Sequence, residues 1–144
     1  MIVATKYLID NNALGPLGER KKRQFFVEHC RVPAEVAYES KRAKHADLLE
    51  PVTIDMTPPV LAELVRVMKT VPPGNTELID LYSFTGTADP ILVAMALALG
   101  TQDLFADKWV IVTEDKAVTR KAMEFSLDTL TPKQLAAIID AATD

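Results

Sequence analysis

The sequence predicts an α/β domain in which parallel strands are joined by right-handed crossovers and covered by helices on both faces. Three observations carry that expectation. Short apolar stretches of strand length alternate with segments of helical period from one end of the chain to the other. One run, Ile91 to Leu99, is apolar on nearly every face and so requires a central, buried helix. A chain of 144 residues with 49% hydrophobic composition fits a single compact domain, residues 1–144, around one core.

Taken in order, Tyr7-Leu8-Ile9 is a short apolar strand that runs into the polar Asp10-Asn11-Asn12. Gly15-Pro16-Leu17-Gly18 reads as a loop. Glu19 to His29 takes a helical pattern, with Phe25, Phe26 and Val27 as apolar mass and a basic stretch from Arg20 to Arg23. Pro33 suits a first helical position, so Ala34 to Lys44 reads as the next helix. Pro51 to Asp55 is expected as a second short strand, and Thr57-Pro58-Pro59 as the cap and first turn of a helix from Val60 to Lys69. Leu61, Leu64, Val65 and Met68 share one face of that helix, which Val71 to Asn75 ends. A short helix from Thr76 to Tyr82 precedes the buried one, for which Gly100 is the expected C-cap. Trp109 to Val112 is a strand ending at Thr113-Glu114-Asp115, Ala117 to Phe125 a helix, and Thr131-Pro132 opens a closing helix over Leu135 to Ala142.

A net charge of −4 and a pI near 5.2 exclude a chain built as a polycation, so any contact with nucleic acid must be local. Cys30 is the single cysteine, which excludes an intramolecular disulfide and fits a reducing, intracellular setting. Ile2, Val3 and Ala4 run straight into Lys6 without a leader pattern. The longest apolar run falls well short of the ~20 residues of a membrane span. The expectation is a cytoplasmic protein without membrane contact.

The two clearest strands, residues 7–9 and 109–112, each deliver a carboxylate at or just beyond the carboxyl end: Asp10 and Asp115. In open parallel sheets that edge is where ligands bind. Helices beginning at the same edge bring two more acids, Glu39 in the helix begun by Pro33 and Asp89 just after Thr87. Carboxylates so gathered raise one another's pKa values and call for a compensating cation. Oxygen donors without a Cys or His motif favour Mg²⁺ or Mn²⁺, whose bound water is a suitable nucleophile for a phosphodiester. Metal-assisted phosphoryl hydrolysis is the chemistry this pattern points to.

Four blocks also resemble the PIN domain, particularly the VapC-type toxin ribonucleases, over nearly the whole chain. Tyr7 to Leu14 resembles the family's opening strand, its first acid followed two positions later by Asn, Ser or Thr, here Asn12. Val32 to Glu39 is similar to the second block, with the family's Glu on the second helical turn. Thr87 to Ala96 resembles the third, an Asp heading an alanine-rich buried helix, although Pro90 directly after Asp89 departs from it. Val110 to Asp115 resembles the fourth, a strand ending in Thr, a spacer and Asp. The resemblance implies a three-layer α/β/α fold with a short parallel sheet. It further implies Mg²⁺ or Mn²⁺ held by Asp10, Glu39, Asp89 and Asp115, RNA as substrate, and often a homodimer bound by an antitoxin protein.

Within those blocks Glu35 competes with Glu39, four residues apart on one helix face, and Glu114 with Asp115; spacing prefers Glu39 and Asp115. Asn12 and Thr113 are the expected supports of the acids. Arg20, Lys21, Lys22, Arg23, Lys116 and Arg120 are candidate phosphate contacts, set against the simpler role of a solvated helix face or counter-charge to the acids. Two other functions stay open: a PIN-like scaffold that binds without cutting, and a structure-specific nuclease acting on DNA.

Overall fold

The computed structural model describes residues 4–41, 46–71, 89–101 and 106–142, with Asp89 represented by its backbone. Five strands, β1 (Thr5–Ile9), β2 (Cys30–Pro33), β3 (Thr53–Ile54), β4 (Lys108–Val112) and β5 (Thr129–Leu130), form one sheet in the order β3-β2-β1-β4-β5, every pair parallel. The helices are α1 (Asn11–Leu17), α2 (Gln24–His29), α3 (Ala34–Glu39), α4 (Pro58–Met68), α5 (Asp89–Gly100), α6 (Lys116–Glu124) and α7 (Pro132–Ala141), with 3₁₀ turns at Gly18–Lys22 and Ala46–Val52.

The period-2 alternation of the central strands assigns the helices to layers. Tyr7 and Ile9 of β1, with Val110 and Val112 of β4, face a core made by Leu14 and Leu17 of α1, Phe26 of α2, Val36 of α3, and Leu135 and Ile139 of α7. Leu8 and Ile111 face the other way, onto Val60 and Val67 of α4, the apolar α5, and Val118 and Ala122 of α6. The result is a three-layer α/β/α fold around a short parallel sheet. Because both faces are covered, residues 7–9 of β1 and 109–112 of β4 read as continuous apolar runs, and α5 is buried from Ile91 through Ala98.

Several elements differ from the sequence expectation. Residues 11–17 form a helix despite Gly15 and Pro16, because Asp10 caps it and Ala13, Leu14 and Leu17 bury on the sheet. The segment expected as one helix from Glu19 to His29 breaks at the extended Arg23 into a 3₁₀ turn and α2. Cys30–Pro33 is a strand, and α3 stops at Glu39. Only Thr53–Ile54 of the expected 51–55 strand is extended, and β5 was not anticipated. In α4 Val60 and Val67 are buried and Leu64, as expected, packs partly buried against the same core, while Leu61, Val65 and Met68 are 50%, 56% and 37% exposed. That helix meets α5 along the neighbouring stripe. The expected helix at residues 76–82 lies outside the described residues. No helix among the described residues is long and apolar enough to cross a membrane.

Gly18 ends α1 at φ +54° and ψ −128°, a backbone conformation open essentially to glycine alone. A methyl group there would meet open space, so Gly18→Ala is expected to lose about 1–3 kcal/mol through backbone strain only. Gly15, helical and equally unobstructed, should tolerate Ala or gain from it. Urea denaturation of the two variants separates these effects; equal stabilities would contradict the strain assignment.

Candidate active site

Starting from β1, the chain lays β2 and β3 down on one side and then returns to place β4 and β5 on the other. The strand order reverses between β1 and β4, and in open parallel sheets the crevice beyond the carboxyl ends at such a reversal is the ligand site. Asp10 and the Thr113–Asp115 segment stand at that crevice. The Asp10 N–H donates to the Val112 carbonyl at 2.9 Å, continuing the β1–β4 ladder into the loop.

Asp10 is 3% exposed, and its carboxylate is held by three donors. The Asn11 N–H donates to Oδ1 at 2.7 Å; the Thr113 hydroxyl and the Asn12 amide donate to Oδ2 at 2.7 and 3.2 Å. Thr113, equally buried, accepts the Asp115 N–H at 3.0 Å, and Asn12 Oδ1 accepts the Glu114 N–H at 3.0 Å. Asn12 and Thr113 therefore clamp the loop after β1 to the loop after β4 and orient Asp10 from both sides. Asp115 caps α6, its Oδ1 accepting the Ala117 and Val118 N–H groups at 2.8 and 3.4 Å.

The electrostatics centre on Asp10. Burial pushes its carboxyl above the ordinary carboxylate value and the charge of Asp115 adds to this, against the hydrogen bonds from Thr113, Asn11 and Asn12. The Glu39 carboxyl is raised as well, by burial first and then by the charge of Asp10. Asp10 thus links acids of two other segments, since the Asp115 charge raises it and its own charge raises Glu39. Asp89 opens α5, and its side chain lies outside the described part. Among the described residues no three His, Cys, Asp or Glu side chains are drawn together tightly enough to hold an ion as they stand. The donors present are carboxylate oxygens, the chemistry that Mg²⁺ or Mn²⁺ takes, and mutual repulsion among them is what such a cation would relieve.

The competing acids sit differently. Glu35 lies in the first turn of α3 with Oε2 buried and without a hydrogen-bond partner among the described residues, whereas Glu39 is the one that feels the Asp10 charge. Glu114 is exposed and engages the site through its backbone N–H.

The basic run from Arg20 to Arg23 does not form one open face. Arg20 makes a two-pronged pair with Asp140 of α7 at 2.8 Å, and Lys21 is buried with its ammonium donating to the Leu14 carbonyl at 2.9 Å. Lys22 pairs with Glu19 at 2.6 Å, and Arg23 donates to the Ala142 carbonyl at 3.2 Å. These contacts tie the Gly18–Lys22 turn to α1 and α7. Lys116 and Arg120 are exposed on α6 just beyond Asp115, nearer the acids in sequence and on one side of the helix.

Cys30 is fully buried, its thiol pushed up to about 12 by burial, which leaves it a core residue rather than a nucleophile. Two residues at the site went unread in the sequence: Asn11, whose N–H caps onto Asp10, and Ser40, whose hydroxyl donates to Asn11 Oδ1. Ser40 directly follows Glu39, the only hint its position offered. No family model matches the chain, and no curated protein matches it.

Proposed function

We propose that this chain is a metal-dependent endoribonuclease that hydrolyses RNA phosphodiester bonds, a PIN-type enzyme and candidate toxin of a toxin and antitoxin pair. The observation that carries the reading is the buried Asp10 at the strand-order reversal, hydrogen-bonded to Thr113 and Asn12, with the Asp115 charge acting on it and its own charge acting on Glu39 at the end of α3. Asp89, at the head of the buried α5, is the fourth acid of the proposal. A bound Mg²⁺ or Mn²⁺, held by these acids, would make a water more acidic and so a better nucleophile, and would set positive charge against the transferring phosphate. The rest falls to the chain. Three donors keep Asp10 able to ionise against the cost of burial, and Asp115 is fixed by the α6 N-terminus. Lys116 and Arg120 are the proposed phosphate contacts, because Lys116 follows Asp115 directly and Arg120 lies four residues further along α6, both exposed. RNA as substrate, a homodimer, an antitoxin partner and a cytoplasmic location belong to the same proposal, and the family resemblance supports them.

The test is cleavage of a labelled structured RNA pool with Mn²⁺ or Mg²⁺, beside EDTA and an Asp10→Asn, Asp89→Asn double variant. Metal-dependent cutting that disappears in the variant is expected. A folded wild-type protein that neither cuts nor binds Mn²⁺ would instead support a scaffold, and cutting of DNA without regard to the 2′-hydroxyl would redirect the assignment to a DNA nuclease. The support of Asp10 is separately testable. Thr113→Val preserves shape and removes the hydroxyl that serves Asp10 Oδ2 and the Asp115 N–H, so it is expected to weaken Mn²⁺ binding roughly 10- to 100-fold. Unchanged binding would reduce Thr113 to a packing role.

A further inference from the structure

Asp10 caps α1, which follows β1, and Glu39 is the last residue of α3, which follows the neighbouring strand β2. α3 has six residues, too few to be stable alone, so the position of its last residue depends on tertiary tethers. One such tether is in place. Ser40, the C-cap of α3, is 5% exposed, and its backbone N–H donates to Val36 and Ala37 carbonyls at 3.1 and 3.2 Å. Its hydroxyl donates to Asn11 Oδ1, and the Asn11 N–H donates to Asp10 Oδ1 at 2.7 Å.

Two hydrogen bonds therefore lead from the residue beside Glu39 to the carboxylate of Asp10. Asn11 is exposed and α1 is already capped by Asp10, so its side chain serves neither the core nor that cap. We propose that Ser40 and Asn11 form a latch that sets the separation of Asp10 and Glu39 for a divalent cation, which makes both of them positioning residues. The latch rests on the metal-dependent reading above. A neutral hydroxyl suits this role because it joins the two loops without adding charge among the acids.

The test uses the full chain and Mn²⁺ alone, with bound and free ion distinguished by the electron paramagnetic resonance of the free ion. Wild type, Ser40→Ala, Asn11→Ala, the double variant and Asp10→Asn are titrated, and thermal melts are recorded beside each. Each single latch variant should bind Mn²⁺ roughly tenfold more weakly. The double variant should bind no more weakly than the worse single one, since both remove one hydrogen bond. Asn11→Ala should melt close to wild type because the residue is exposed, and it decides the matter should Ser40→Ala fold poorly. Wild-type affinity in Asn11→Ala, or losses that add in the double variant, overturns the latch and leaves the metal reading standing. Failure of the wild type to bind Mn²⁺, or binding that Asp10→Asn does not weaken, overturns both.

Discussion

Asp10→Asn is expected to lower metal-dependent RNA cleavage by on the order of 10²- to 10³-fold, while the metal-free protein changes its stability in a pH-dependent way. The first effect follows from removing the buried carboxylate that stands between Asp115, whose charge acts on it, and Glu39, on which it acts. The second follows from linkage. The folded chain raises the Asp10 carboxyl above its ordinary value, so the fold favours the protonated form. The stability tied to that proton is fully present below the ordinary carboxylate value of about 4 and is lost as pH rises through the raised one. Glu39 contributes in the same direction.

Ionised Asp10 is thus a cost at neutral pH that Asn does not carry. Urea midpoints in EDTA should shift in favour of the wild type, relative to Asp10→Asn, as pH falls from 7 towards 4. A difference independent of pH would contradict this. Adding Mn²⁺ should reverse the comparison at neutral pH, since a ligand of the folded state stabilises by mass action and the variant lacks the anchoring acid.

Phe26→Ala should cost about 3–5 kcal/mol in urea unfolding, with the denaturant slope unchanged. Phe26 is fully buried and leads the largest inaccessible side chains; it joins α2 to the core shared by α1, β2, α3 and α7. Truncation leaves a cavity that close-packed neighbours fill only in part. Against a typical total of about 5–15 kcal/mol, the variant approaches the margin of folding. A loss under about 1 kcal/mol would mean that this layer repacks freely.

The fold was legible where a local pattern had one solution. Tyr7-Leu8-Ile9 and Val110-Ile111-Val112 are apolar on both faces, and Ile91 to Leu99 is apolar all round, so each is buried wherever it packs. Where local signals conflicted, tertiary contacts decided. Gly15 and Pro16 argued for a loop, yet the Asp10 cap and the burial of Ala13, Leu14 and Leu17 hold a helix there. Cys30–Pro33 carries no period of its own and is a strand because β1 and β3 flank it. The Arg20–Arg23 run looked like a solvated or phosphate-facing stretch until Lys21 turned inward to the Leu14 carbonyl. The stripe of α4 that faces the core was decided by its docking on α5.

By itself the sequence determined which segments are buried, and that Asp10 and Asp115 follow apolar strands, because hydrophobic period and strand ends are local properties of the chain. Only the tertiary structure decided that β4 lies beside β1. That choice brings Thr113 to the Asp10 carboxylate across 103 positions of sequence and, with β2 on the other side, Ser40 to Asn11. Parallel strands pair through backbone groups that every residue carries. Their order is set by which arrangement buries both faces of the sheet at once, a property of the whole chain that no single segment encodes.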